Sequence, residues 1–166
     1  MPYHSLREFV HRLENENELV RIKDHVSPIL EITEITDRVS KQPGGGKALL
    51  FENVEGSNIP VLINAFGSSK RINMALGVRD IEKIPNDIDK YLKIKPPSSL
   101  LEKVKLLPML LEAAAFPPKM VSSRQASCQE VVLTGDDVDL ESIPHIKCWP
   151  LDGGRYITLP LVISKD

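Results

Sequence analysis

Cysteine is nearly absent from this chain of 166 residues, with only Cys128 and Cys148 present. That scarcity excludes a disulfide-stapled scaffold and points to a reducing compartment. A surplus of charge of one sign is missing too: 21 Lys and Arg stand against 23 Asp and Glu, for a net charge of −2 and an isoelectric point near 6.1. With no basic stripe, nucleic acid and anionic membrane surfaces are disfavoured as partners. Lys, Glu or Pro breaks every apolar run well before the roughly 20 residues that a bilayer crossing needs. The opening Met1-Pro2-Tyr3-His4-Ser5-Leu6-Arg7-Glu8 lacks the basic, apolar and small-residue succession of a secretory signal. The expectation is a cytoplasmic protein. What is present, 42% hydrophobic and 27% charged residues with both signs interspersed, describes a globular chain. Its length allows one ordinary core, or a small domain and the opening of a second.

Ser5 followed three residues later by Glu8 forms a capping box, and Leu6, Phe9, Val10 and Leu13 share one face of the helix it starts. Glu18 to Ile22 reads as a short strand. Ser27-Pro28 then supplies an N-cap and a first-turn proline for a second helix with Ile29, Ile32, Ile35 and Val39 inward, closed by Gly44-Gly45-Gly46. Lys47–Val54 and Ile59–Asn64 read as strands joined by a Glu55-Gly56-Ser57-Asn58 turn. The first seventy residues thus read as an α/β unit. A short helix ending at Gly77 follows, then another that Asp80 can cap, bearing Ile81, Ile84, Ile88 and Leu92. Ser98 to Phe116 is leucine-rich and helical in period, with Pro108 to kink it and Pro117-Pro118 to end it. Beyond a polar stretch, Gln129–Leu133 and Tyr156–Ser164 are strand-like. The expected division is residues 1–118 and residues 119–166.

Several groups of residues are candidates for chemistry. Gly44-Gly45-Gly46-Lys47 resembles a phosphate loop, but a helix precedes it, a strand follows it, and Ala48 stands where a metal-binding hydroxyl belongs. Gly67-Ser68-Ser69-Lys70-Arg71 is better placed to hold an anion, at a helix start with two cations, although an ordinary cap accounts for the same residues. His145 and Cys148 have an H-x-x-C spacing, yet no second ligand pair accompanies them, and His4, His11 and His25 are scattered elsewhere. Cys148, His145 and Asp152 have the composition of a catalytic triad, but within one loop that rarely aims three side chains at one point. Packing is the default reading of Cys148. Trp149-Pro150 reads as an anchor of that loop, and Asp152-Gly153-Gly154 as the turn that launches the last strand.

The order of these segments resembles the N-terminal part of the UbiD family, decarboxylases that use prenylated flavin mononucleotide. The stretches that carry the resemblance are Ser5 to Val10, Pro28 to Val39, Asn64-Ala65-Phe66-Gly67-Ser68 with Met74-Ala75-Leu76-Gly77, Gln129 to Leu133, and Ile143-Pro144 through Cys148-Trp149-Pro150 to Asp152-Gly153-Gly154-Arg155-Tyr156-Ile157-Thr158. The resemblance implies an N-terminal α/β domain followed by the first strands of a split β-barrel of the flavin-reductase type, within a considerably longer protein that also has a C-terminal oligomerisation domain. It implies prenylated FMN with a divalent metal (Mn or Mg) and K as cofactors, an aromatic or α,β-unsaturated carboxylic acid as substrate, and a homo-oligomer. The family's cofactor, metal and catalytic residues would follow the position where this sequence stops. No catalytic or metal-binding residue is therefore carried over, and Thr158 alone is expected near the flavin. The chain by itself is expected to be inactive as a decarboxylase, and a stand-alone flavin- or partner-binding module is the alternative.

Overall fold

The central strand is apolar at four consecutive positions, Ala48, Leu49, Leu50 and Phe51, and all four are buried. Successive side chains of a strand point to opposite faces, so such a run requires cover on both sides. A computed structural model describes residues 3–93, 104, 107–108, 110–111 and 120–157 and shows how that cover is built.

Helix α1 (Leu6–Asn15) leads to strand β1 (Leu19–Val26), helix α2 (Glu31–Ser40), strand β2 (Ala48–Val54), strand β3 (Val61–Ile63) and helix α3 (Ser69–Leu76). The sheet order is β1-β2-β3, with β1 parallel to β2 and β2 antiparallel to β3. The parallel pair needs a crossover, which α2 provides, whereas the antiparallel pair is joined by the expected turn at Glu55. On one face, Phe9, Val10 and Leu13 of α1 meet Leu19, Ala48 and Leu50, with Met74 and Ala75 of α3 packed alongside. On the other, Ile32 of α2 meets Val26, Leu49, Phe51 and Val54. The expected α/β architecture is observed.

The chain forms two compact units, Met1–Ile81 with Asp139–Asp166, and Glu82–Val138. In the second, helix α4 (Ile84–Leu92) takes Pro85 into its first turn, where the missing N–H costs nothing. A 3-10 turn over Ile81–Lys83 precedes it, so the helix begins later than a cap at Asp80 would place it. Gln129–Leu133, expected as a strand, is not one. A 3-10 turn occupies Ser127–Gln129, and Val131, Val132 and Leu133 lie exposed with no strand beside them among the described residues. The leucine-rich run 98–116 falls largely outside the described residues, as do residues 158–164 of the last expected strand. No helix among the described residues is long and apolar enough to cross a membrane.

Candidate functional site

Two places gather the residues singled out above. The first is the glycine loop after α2. Ser68 caps α3, its Oγ accepting from the Arg71 N–H at 3.3 Å, and the helix closes on Gly77 in the left-handed conformation. One turn in, the Arg71 side chain points inward and is fully buried. Its guanidinium donates to the Gly46 carbonyl at 2.6 Å and to Glu18 at 3.1 Å, while Nε has no partner. Asn64 donates to the carbonyls of Gly45 and Lys47 at 2.8 and 2.9 Å. A Cβ on Gly45, at φ +83, would overlap the Gly67 carbonyl oxygen, which explains the residue type there.

Lys70 pairs with Glu18 at 2.9 Å. The Lys70 hydrogen bond holds the Glu18 carboxyl below the usual carboxylate range; burial opposes this, and Arg71 adds to it. Both cations that made Gly67-Ser68-Ser69-Lys70-Arg71 a candidate anion site are thus engaged by Glu18 and by backbone carbonyls. The cap reading holds here, and the triple glycine is a clamped turn rather than a phosphate loop.

The second place is the segment from Glu141 to Tyr156. Ile146 is inserted among Val26, Ile32 and Phe51, 6% exposed. Lys147 forms an isolated parallel bridge with Ile29, and Ile146 an antiparallel one with Tyr156. The Asp152-Gly153-Gly154 turn joins the two arms. Alternation along the segment sends His145 and Cys148 to different grooves. His145 borders a cleft of about 330 Å³ with Pro28, Ser57, Glu141 and Arg155, whereas Cys148 borders another with Leu30, Thr33 and Trp149.

His145 Nδ1–H donates to the Ile143 carbonyl at 2.6 Å, and Nε2 lies 3.8 Å from Glu141, whose other oxygen is 3.4 Å from Arg155. The Asp152 carboxylate accepts from the Trp149 N–H at 2.8 Å, which makes it a turn residue. The three members of the candidate triad therefore do not converge. Trp149 is 57% exposed and does not anchor the loop; Ile146 does, directly beside the Lys147 bridge to Ile29. The signal for Ile146 was an isoleucine in an extended stretch, overshadowed by the rarer Trp and Cys beside it. Thr158 lies outside the described residues.

The profile described as 3-octaprenyl-4-hydroxybenzoate carboxy-lyase N-terminal domain matches residues 10–92, and the one described as the Rift-related domain of the same enzyme matches residues 119–166. The chain belongs to the UbiD family. An uncharacterized protein of Aquifex aeolicus is 54% identical over 164 residues, and one of Archaeoglobus fulgidus is 46% identical over 166; the match covers 99% and 100% of this chain and 33% of each relative. Among solved structures, an evolved dimeric form of the UbiD-class enzyme HmfF from Pelotomaculum thermopropionicum, in complex with prFMN, superposes with a TM-score of 0.64 at 27% identity, over 94% of this chain and 31% of that one. The open form of the vanillic acid decarboxylase of Sedimentibacter hydroxybenzoicus gives 0.69 at 25% identity, over 93% and 30%. This UbiD-family chain spans about a third of the length of the relatives it matches.

The family implies a flavin, as the prFMN complex of HmfF illustrates, and the described residues of this chain gather no set of metal ligands: no three His, Cys, Asp or Glu among them converge. In the His145 cleft, Arg155 is the cation available to a flavin phosphate, and Glu141 faces it.

Proposed function

We propose that this chain is the N-terminal part of a UbiD-type carboxy-lyase that reversibly decarboxylates an aromatic or α,β-unsaturated carboxylic acid with prenylated FMN, and that residues 1–166 alone are inactive. The observation that carries this reading is the order of the two family matches, residues 10–92 and then 119–166, in relatives about three times as long. On this reading residues 1–118 are the α/β domain and residues 119–166 open a split β-barrel, with Thr158 near the flavin. Exposed apolar side chains support it: Met120 and Leu151 are each 98% exposed, and Val131 is 77% exposed. Such side chains are available to further chain or a partner segment.

Loss of CO2 leaves carbanion character on carbon, which the cofactor stabilises when bound; the protein must supply orientation and a proton. In the described part of residues 119–157, Asp152 holds a turn, Arg155 faces Glu141 and no three His, Cys, Asp or Glu converge, and on this reading the acid, the metal (Mn or Mg) and K belong to other residues. The complete protein is a cytoplasmic homo-oligomer in this reading, and this chain's partner is the remaining UbiD-type segment or subunit.

A second reading, a stand-alone flavin- or partner-binding module, is favoured by one observation: Ile146 and Lys147 are seated on the α/β unit, held among the described residues by isolated bridges to Ile29 and Tyr156 rather than by a barrel strand. The test is the intact mass of the product in its own cells, with CO2 release from vanillic acid and 4-hydroxybenzoate-type acids measured for that product and for residues 1–166, each with prenylated FMN and Mn. A product much heavier than 18.5 kDa that is active where residues 1–166 are not is the expected result. CO2 release by residues 1–166 alone overturns the inactivity. A natural product of 18.5 kDa that is inactive but quenches flavin fluorescence on binding establishes the second reading instead.

A further inference from the structure

Residues 27–31 carry two incompatible sets of instructions. Ser27 and Pro28 suit an N-cap and a first-turn proline, and Ile29 falls three residues before Ile32, in line with the stripe that α2 buries. Yet α2 begins only at Glu31. Leu30 is held at φ 66, ψ −35, with the Glu31 N–H bonded to the Ile29 carbonyl at 2.8 Å. This is a γ-turn of the rare, strained hand, and Leu carries the Cβ that makes it costly. Lys147 holds it in place. Its N–H donates to the Pro28 carbonyl at 3.0 Å, and its carbonyl accepts from the Leu30 N–H at 2.9 Å. The neighbouring Ile146 fills the cluster around Ile32, while Ile29 is left 46% exposed.

We infer that Ser27–Glu31 and Ile146–Lys147 form a two-state latch. In the docked state Ile146 plugs the core and Lys147 pairs with the γ-turn. In the released state the hairpin lifts away, Leu30 returns to helical dihedrals, α2 extends back to Pro28 beneath Ser27, and Ile29 turns into the space that Ile146 leaves. The cap of the longer helix is already set, since Ser27 Oγ accepts from the Ile29 N–H at 3.3 Å and the Glu31 carboxylate accepts from the Ser27 N–H at 2.7 Å. Two packings of one segment, each offering an isoleucine to one hole, are a bistable element. Anything that grips the Cys148–Tyr156 hairpin biases the latch, and through it the start of α2.

The test is amide exchange and backbone Cα chemical shifts on the full chain, in Leu30→Gly, Leu30→Ala and Lys147→Pro. Glycine removes the strain and weakens the competing helix, so protection of the Lys147 amide rises about tenfold. Alanine keeps the Cβ and strengthens the helix, so protection there stays level or falls. Lys147→Pro deletes the donor to Pro28, and residues 28–30 take helical shifts. Equal protection of Lys147 in the glycine and alanine variants overturns the latch, as do non-helical shifts at 28–30 in a folded Lys147→Pro. Should the proline variant not fold, the glycine and alanine pair decides the matter alone.

Discussion

Replacing Arg71 by Met keeps most of the side chain's volume while deleting its charge and donors. Among the described residues the Gly46 carbonyl accepts from Arg71 alone, so it is stranded in the substituted protein, at about 1–3 kcal/mol. Glu18 loses one cation but retains Lys70 at 2.9 Å and some contact with solvent, which keeps that contribution to about 1 kcal/mol. Against these stands the desolvation of Nε, which is already unpartnered and whose removal returns about 1 kcal/mol. The net expectation is a loss of about 2 kcal/mol for Arg71→Met. Arg71→Ala adds the cavity left by the stem and should cost about 3–4 kcal/mol. Urea unfolding followed by far-UV circular dichroism, with the slope compared between variants, measures both. A Met variant within about 0.5 kcal/mol of the parent, or more stable than it, would refute the claim that the buried guanidinium is the clamp of the glycine loop.

Gly45→Ala and Gly44→Ala place the same Cβ at similar positive φ, but only the former meets the Gly67 carbonyl. The first should lose well over 2 kcal/mol and the second about 1 kcal/mol in the same urea assay. The Glu18 carboxyl is held below its ordinary value, so the stability it contributes is present above that value and is lost as the pH falls through the depressed one. Glu18→Gln should accordingly flatten the acid limb of a stability profile below about pH 4 while lowering stability at neutral pH. Cys148→Ser should leave any activity of the complete protein unchanged, because His145 and Asp152 are engaged elsewhere; loss of CO2 release with stability intact would restore the thiol as a reacting group.

Local instructions were legible wherever nothing distant competed with them. Ser5 and Glu8 start α1 as their spacing predicts, although the carboxylate reaches the His4 N–H. Ser68 and Gly77 bound α3, and the apolar run at Ala48 marks the strand that is covered on both faces. The start of α2 was misread because its competitor, Lys147, lies far along the chain, and no local propensity encodes a pairing that forms only in the folded state. Val131-Val132 shows the converse: β-branched residues suggested a strand, but a strand needs an edge to join, and none lies beside them among the described residues. The fate of Lys70 and Arg71 turned on Glu18 and two glycine carbonyls, which spacing alone could not bring to one point.

The insertion of Ile146 beside Ile32 and Phe51 sets a timetable for synthesis. The strand that needs this cover ends at Val54, and about ninety residues separate it from Ile146, or roughly 5–18 s of elongation at ordinary rates. Over that interval the nascent α/β unit has its α1 side closed and the other side one side chain short. A growing chain in that condition presents an apolar notch until Ile146 is made, the kind of transient exposure through which large folds misassemble.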